Sequence, residues 1–199
     1  MDDFKKYFLE ADAIDTFLKW YEAAKKVEEN PEAMTLSTAG KNGFPSGRLI
    51  LYKGLIEKKF AIYTNYHSRK AIEMSENPKA SLTFYWHKLG RQVRIEANVE
   101  KMPEDLSRKY FHSRGRESQV ASLISKQSSP IDNREKLEKL FNEKLSSLQN
   151  KEIPYPENWG GFLLKPLRFE FFLYREHRLN DRFLYEIGPF KTSITRLQP

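Results

Sequence analysis

RQVRIEANVEK, residues 91–101, alternates between two kinds of side chain throughout its interior, from Gln92 to Glu100. Val93, Ile95, Ala97 and Val99 fall on one side of an extended chain, and Gln92, Arg94, Glu96 and Asn98 on the other. Successive side chains of a strand point to opposite faces, so this is a half-buried strand of an antiparallel sheet. KASLTFYW (79–86) precedes it, rich in β-branched and aromatic residues, and a turn containing Gly90 joins the two. Further upstream, MTLSTA (34–39), GRLILYKGL (47–55) and KFAIYTN (59–65) read as a meander. Asn42-Gly43 supplies the positive φ of a tight hairpin, and Glu57-Lys58 separates the last two strands. Downstream, strands resume at FLLKPLRFEFFLY (162–174) and FLYEI (183–187), and Gly188-Pro189 turns the chain into a last strand ending RLQP.

Helical patterns surround this β-rich frame. Residues 12–29 place Ile14, Phe17, Leu18, Tyr21 and Ala24 on one apolar face, with Asp12 or Asp15 as the cap and Asn30-Pro31 as the stop. SRKAIEMSE (68–76) predicts a short helix that starts from a Ser68 N-cap. Helical signals then run from Pro103 to about Asn150, interrupted near Gly115 and at Ser129-Pro130. The expectation is a mainly β fold in one domain spanning 1–199, an antiparallel barrel or sandwich with flanking α-helices and a helical insertion at about 103–150.

Composition narrows the function classes. With 199 residues, 39% apolar and 14% aromatic, the chain can pack one core and is not disordered. No run approaches the roughly 18 apolar residues of a membrane span. The first twelve residues are charged and carry no apolar signal region, so the expected location is the cytoplasm. Absence of cysteine removes disulfides, thiolate metal sites and a cysteine nucleophile, and the four histidines show no metal-ligand spacing. The net charge of +7 invites a polyanion partner. Acidic and basic residues nevertheless alternate between Asn133 and Lys151, the pattern of a solvated helix face and not of a nucleic-acid stripe.

Four segments can carry chemistry. Tyr110, Arg114 and Ser118 stand four apart, and a continuous helix would align them at about 40° per step. A phenol, a guanidinium and a hydroxyl so aligned can grip a phosphate, though the same spacing also describes a plain polar face. Ser68-Arg69-Lys70 offers a helix N-terminus and two cations, either an anion site or a capped surface helix. REHRLNDR (175–182) interrupts apolar sequence with arginines, reading as a solvated hairpin loop or as a loop aimed into a cleft. Lys126-Gln127-Ser128-Ser129 reads only as a loop. There is no glycine-rich nucleotide fingerprint.

Taken in order, NPEAM (30–34), RLILYK (48–53), YTNYHSRKA (63–71), RQV (91–93), KYFHSRGRESQ (109–119), SKQSS (125–129), WGGF (159–162), FEFF…EHRLNDRFLY (169–185) and the terminal RLQP resemble the pyridoxine/pyridoxamine 5′-phosphate oxidases. The resemblance covers about four-fifths of the chain. It implies an FMN-binding split β-barrel, a homodimer with FMN in a cleft between subunits, and no nucleic-acid or membrane partner. The implied reaction oxidises pyridoxamine or pyridoxine 5′-phosphate to pyridoxal 5′-phosphate and reduces O₂ to hydrogen peroxide. FMN contacts are implied at Arg48, Lys53, Tyr63, Thr64, Arg69 and Lys70, and at Gln92, Gln127, Ser128 and Arg182. Phe172 stands at the flavin side where the family has tryptophan. Substrate phosphate is implied at Lys53, Tyr110, Arg114 and Ser118. Arg178 and Asn180 are the implied catalytic residues, Arg178 covering the substrate ring, and both contact substrate together with Leu179. Asn180 replaces a family histidine, and the substrate-covering N-terminal arm has no clear counterpart in MDDFKKYFLEAD. Two alternatives stay open: a related flavin oxidase of secondary metabolism, and a non-catalytic flavin- or phosphate-binding module.

Overall fold

The computed structural model describes residues 9–199, so most of the stretch read for an N-terminal arm lies outside the described residues. Helix α1 is Ala13–Ala24, and the Asp12 side chain caps it by accepting from Ile14 N. Strands β1 (Ala33–Ala39), β2 (Pro45–Leu51), β3 (Leu55–Ile56) and β4 (Lys59–Asn65) follow. Next come α2 (Arg69–Glu76), β5 (Lys79–Trp86) and β6 (Arg91–Lys101). The insertion comprises α3 (Glu104–Ser113), α4 (Arg116–Ile124) and α5 (Arg134–Ser147). Strand β7 (Trp159–Leu173), a 3₁₀ turn at Glu176–Arg178, β8 (Asp181–Ile187) and β9 (Thr192–Leu197) complete the chain.

All pairings are antiparallel, in the order β2-β1-β5-β6-β7-β4-β3, with β8 also on β7 and β9 on β8. The sheet curls. Phe60 of β4 and Phe84 of β5 are far apart in strand order, yet their rings lie 6.4 Å apart across the core. Helix α1 fills the space they enclose, with Phe17 and Trp20 fully buried. Phe17 meets Phe60 and Phe84 at 5.0 Å and Tyr52 at 5.5 Å. Among the described residues, no helix is long and apolar enough to cross a membrane.

Three local expectations change. The apolar face of α1 includes Trp20, whereas Leu18 is 36% exposed, because the core contacts the Phe17–Trp20–Ala24 side of the helix. The helix proper ends at Ala24 and continues only as turns to Glu28. GRLILYKGL is not one strand: Tyr52 N turns back to donate to Glu32 O, and Gly54 (φ 95°) redirects the chain into β3. The two-residue turn after β3 places Glu57 (φ 49°) and Lys58 (φ 62°) in the left-handed region that such hairpins need, without a glycine.

Helix α5 buries no residue, and its surface carries Arg134–Glu138 and Lys139–Glu143 pairs one turn apart, the solvated face read from the sequence. The insertion packs instead through Phe111 and Val120, which form a second small core with Ile153 and Trp159.

Phe17→Ala removes a ring from a close-packed site and should lower the unfolding free energy by about 3–5 kcal/mol. Leu18→Ala, one position on, should cost less than about 1 kcal/mol. Urea denaturation of both variants checks the assignment, and equal losses would contradict it.

Candidate active site

A cleft of about 530 Å³ opens between β2, β4, α2 and the insertion. Lys53, Tyr63, Lys70, Tyr110, Arg114 and Ser118 all line it, together with Ile50, Leu51, Ile62, Gly115 and Trp159. The convergence does not come from one helix face. Helix α3 ends at Ser113, Arg114 is extended (φ −83°, ψ 155°), and Gly115 caps the separate helix α4. With the chain extended there, Arg114 Nη1 donates to Ser122 Oγ and Nη2 to Ser118 O, both at 2.9 Å.

An aromatic stack supports this wall. Tyr110 and Tyr63 are parallel at 3.7 Å, Trp159 continues the stack 5.7 Å from Tyr63, and the Arg114 guanidinium lies 5.0 Å from the Trp159 ring centre. Burial pushes the Tyr63 phenol up to about 12, with Tyr110 adding to the shift. Burial also raises Tyr110, against the pull of Arg114. Both phenols are therefore neutral donors near pH 7, and Arg114 stays charged although burial lowers its pKa. Arginine, lysine, phenol and hydroxyl groups on one wall can hold a phosphate monoester.

A second group gathers at the start of α2. Ser68 occupies the cap position, but its side chain makes no capping bond; its Oγ pairs with Thr64 Oγ1 at 3.1 Å. The neighbouring loop supplies the missing acceptor, as Arg69 N donates to Ser128 Oγ at 3.2 Å. Gln127 Oε1 accepts from Thr64 Oγ1 and Asn65 N, which ties this loop to the end of β4. Lys70 Nζ donates to Thr64 Oγ1 at 3.3 Å and has no carboxylate partner among the described residues. Its pKa is lowered by burial and then by Arg48.

Arg48 faces inward. Its Nη1 donates to Leu36 O and Thr38 Oγ1, and its Nη2 to Ser46 Oγ and Glu73 Oε2. Glu73 is a buried carboxylate that the sequence reading missed. Its spacing from Arg69 was visible, whereas Thr38 and Ser46 reach it only through the fold.

The remaining candidates lie elsewhere. Gln92, Phe172 and Arg182 are register partners across β6, β7 and β8 and do not line the cleft. Arg182 Nε donates to Glu170 Oε1 at 2.7 Å, and Glu170 also pairs with Arg94. Arg178 (φ 61°) is exposed on the 3₁₀ turn, and Leu179 is 68% exposed. Asn180 Oδ1 accepts from Arg175 N at 2.9 Å, while Asp181 holds Arg175 and Arg196. One chain thus presents two separate surfaces: the cleft wall, and the row with its adjoining loop.

Burial alone would raise the Glu73 carboxyl, but hydrogen bonds from Ser46, Thr38, Arg69 and Arg48 outweigh it and hold it down at about 2. A folded-state pKa below the unfolded value near 4.5 gives stability that is complete above that value. It is lost as pH falls through the folded value. At about 1.4 kcal/mol per unit, the contribution is roughly 3 kcal/mol. Between pH 4.5 and 2 the wild type should therefore lose about that much more stability than Glu73→Gln. Urea unfolding across this window tests it, and parallel acid limbs for the two proteins would contradict the assignment.

Residues 21–143 match the pyridoxamine 5′-phosphate oxidase family, and residues 159–199 match the pyridoxine 5′-phosphate oxidase C-terminal dimerisation region. The pyridoxine/pyridoxamine 5′-phosphate oxidase of Coxiella burnetii is 44% identical over 190 residues, covering 95% of this chain and 96% of that one. That of Leptospira interrogans is 45% identical over 177 residues, covering 88% and 83%. Among solved structures, PhzG from Burkholderia lata, in complex with tetrahydrophenazine-1-carboxylic acid, superposes with a TM-score of 0.90 at 28% identity, covering 96% of this chain and 94% of that chain. An FMN-binding protein from Nostoc punctiforme, related to pyridoxamine 5′-phosphate oxidase, shares the fold with a TM-score of 0.78 at 14% identity, covering 96% and 100%. The antiparallel barrel, the string order and these relatives agree: the chain belongs to the pyridoxamine 5′-phosphate oxidase family.

Proposed function

We propose that this chain is an FMN-dependent oxidase converting pyridoxamine or pyridoxine 5′-phosphate to pyridoxal 5′-phosphate, with O₂ reduced to hydrogen peroxide. The observation that carries the reading is the pair of anion-holding groups, one on the cleft wall and one at the start of α2, joined through Lys70, which belongs to both. Substrate and cofactor each bring one terminal phosphate, so the reaction needs two such groups side by side.

The start of α2 fits the FMN phosphate. Lys70 is buried with no carboxylate partner among the described residues, and Ser128 and Thr64 place hydroxyls beside it. A buried cation beside a helix N-terminus favours a dianion. FMN, when bound, supplies the two-electron acceptor for the hydride leaving substrate C4′ and the route onward to O₂.

The chain's residues bind and orient. Arg114 and Lys53 neutralise the substrate phosphate, and the Tyr110 and Ser118 hydroxyls donate to its oxygens. The stacked rings of Tyr63 and Trp159 keep Tyr110 and Arg114 from swinging away and exclude water from that wall. Asn180 has no titratable proton near neutral pH, so the amine proton leaves to solvent or before binding.

The functional unit of this reading is a homodimer. Gln92, Phe172, Arg182 and the Arg178–Asn180 turn of one copy complete the cleft of the other, Arg178 lying over the substrate ring. Three features support it: these residues lie away from their own cleft, segment 159–199 matches a dimerisation region, and β2 exposes Leu49 and Leu51 beside the cleft. Each copy acts as one domain, in the cytoplasm, where charge retains both phosphorylated ligands.

The similarity to PhzG, together with Asn180, favours a second reading, flavin oxidation of a bulkier acid whose carboxylate meets the Arg114 wall. Incubation with pyridoxamine 5′-phosphate under air separates the two. The expected result is a yellow dimer that forms pyridoxal 5′-phosphate and peroxide in equal amounts. A flavin-loaded protein inert toward both B6 phosphates would favour the second reading, and a monomer with full flavin occupancy would overturn the shared site.

Arg114→Ala should raise KM for substrate about 10- to 150-fold, the equivalent of one lost charge-assisted contact, and change FMN affinity less than about threefold. Lys70→Ala should weaken FMN first. Steady-state kinetics and flavin titration measure both, and the opposite pattern would reverse the two phosphate assignments.

A further inference from the structure

Glu73 sits one turn after Arg69 on α2, and its two oxygens do different work. Oε2 accepts from Thr38 Oγ1 and Ser46 Oγ, both at 2.6 Å, and from Arg48 Nη2 at 3.3 Å. These three donors belong to β1 and β2, so the sheet sets the orientation of the carboxylate. Oε1 is left for Arg69 Nε at 2.8 Å. Arg48 spends both Nη groups inside the protein, whereas the Nη groups of Arg69 have no partner among the described residues and its side chain is mostly exposed. Arg69 N meets Ser128 Oγ and Lys70 follows directly, so the residue that carries this guanidinium also forms the start of α2, where the Ser128 and Thr64 hydroxyls and the buried amine gather.

We propose that Glu73 is the positioning residue of the flavin-phosphate site, holding Arg69 by Nε so that both Nη groups form a fork for a phosphate monoester. The proposal rests on the FMN reading of that site. A long exposed arginine samples many rotamers, and fixing it before the ligand arrives removes an ordering cost from binding. Nε is the donor to hold for this purpose, because the two Nη groups make the bidentate pair with an oxyanion. Arg48 acts here as a strut for Glu73. Glutamine at position 73 has one oxygen for two sets of donors, so it cannot serve both the sheet and Arg69.

The test compares FMN with riboflavin, which has the same ring system and no phosphate. Full-length protein freed of flavin is titrated with each, following flavin fluorescence, for the wild type, Glu73→Gln, Arg69→Lys and the double variant. Glu73→Gln should weaken FMN by about 10- to 100-fold, the range for a charge-assisted contact, and riboflavin by less than about threefold. Arg69→Lys should match it, and the double variant should be no more than about threefold worse than either single one. Equal loss of both flavins would show a merely structural role and overturn the proposal, as would unchanged or tighter FMN binding or multiplicative losses in the double variant. If Glu73→Gln does not fold, Ser46→Ala, which removes one support of the carboxylate, must weaken FMN more than riboflavin. A wild type that binds both flavins equally, or neither, overturns the phosphate-site reading itself. A wild type that prefers FMN while the variants keep that preference overturns only the role of Glu73.

Discussion

Strand β7 is the constraint on which the arrangement depends. Along one edge it pairs with β6 over nearly its whole length; along the other it pairs first with β4 and then with β8. The change of partner falls at Pro166-Leu167, where the β6 register also shifts. Proline has no amide hydrogen to give to a ladder, so a partner change there leaves fewer donors unsatisfied. Gly160 and Gly161 at the other end admit Tyr66 and Met102, whose atoms would lie 2.0 and 2.7 Å from an added Cβ. The strand begins with Trp159 in the cleft and nearly ends with Phe172 in the outward row. At about 3.3 Å per residue, thirteen steps put roughly 40 Å of strand between them. The cleft wall and the outward row of one chain are thus far apart along the same strand, which supports the dimer of the proposed function.

The charge arrangement follows one rule at three places. Glu73 joins Arg48 and Arg69, Glu170 joins Arg94 and Arg182, and Asp181 joins Arg175 and Arg196. Each carboxylate is largely buried, and each arginine pair would otherwise repel across a few ångströms. Burial raises the Glu170 pKa, but hydrogen bonds from Arg182 and Arg94 exceed that effect and lower it overall, as happens at Glu73. A buried carboxylate shared by two guanidiniums keeps its charge and fixes two long side chains. Six arginines are thus held on three largely buried carboxylates, so the net charge of +7 is not by itself a measure of what the chain offers an anion.

The sequence was most legible where one physical rule dominated. Strands 59–65, 79–86 and 91–101 appear at those bounds, because a strand with a core face cannot slip by one residue without inverting every side chain. GRLILYKGL failed because an edge strand with exposed Leu49 and Leu51 has no alternation to read, and its end was set by Tyr52 turning back to Glu32. Leu18 stood in for Trp20 because helical spacing locates a stripe but not its width, and the largest residue took the core. Identities on the cleft wall were legible from the order of short strings. Their geometry was not, since it depends on helices meeting at Gly115 and on contacts from distant strands.

The break at Gly115 shows why that geometry and the identities separate. On one uninterrupted helix, Tyr110, Arg114 and Ser118 would lie in a line along one face, without the bend that brings the Arg114 guanidinium back to Ser118 O and Ser122 Oγ. With the chain extended at Arg114, its carbonyl accepts from Gln119 Nε2 at 2.7 Å, so the interruption leaves that backbone group satisfied. The guanidinium then lies over Trp159, where stacking leaves its in-plane N–H groups directed sideways to Ser122, Ser118 and the cleft. Helices α3 and α4 can meet at this angle because Phe111 and Val120 bury against Ile153 and Trp159. The same tryptophan therefore anchors the insertion to the sheet and supports the arginine, and the apolar packing that holds the insertion in place also sets one of the cleft's cations.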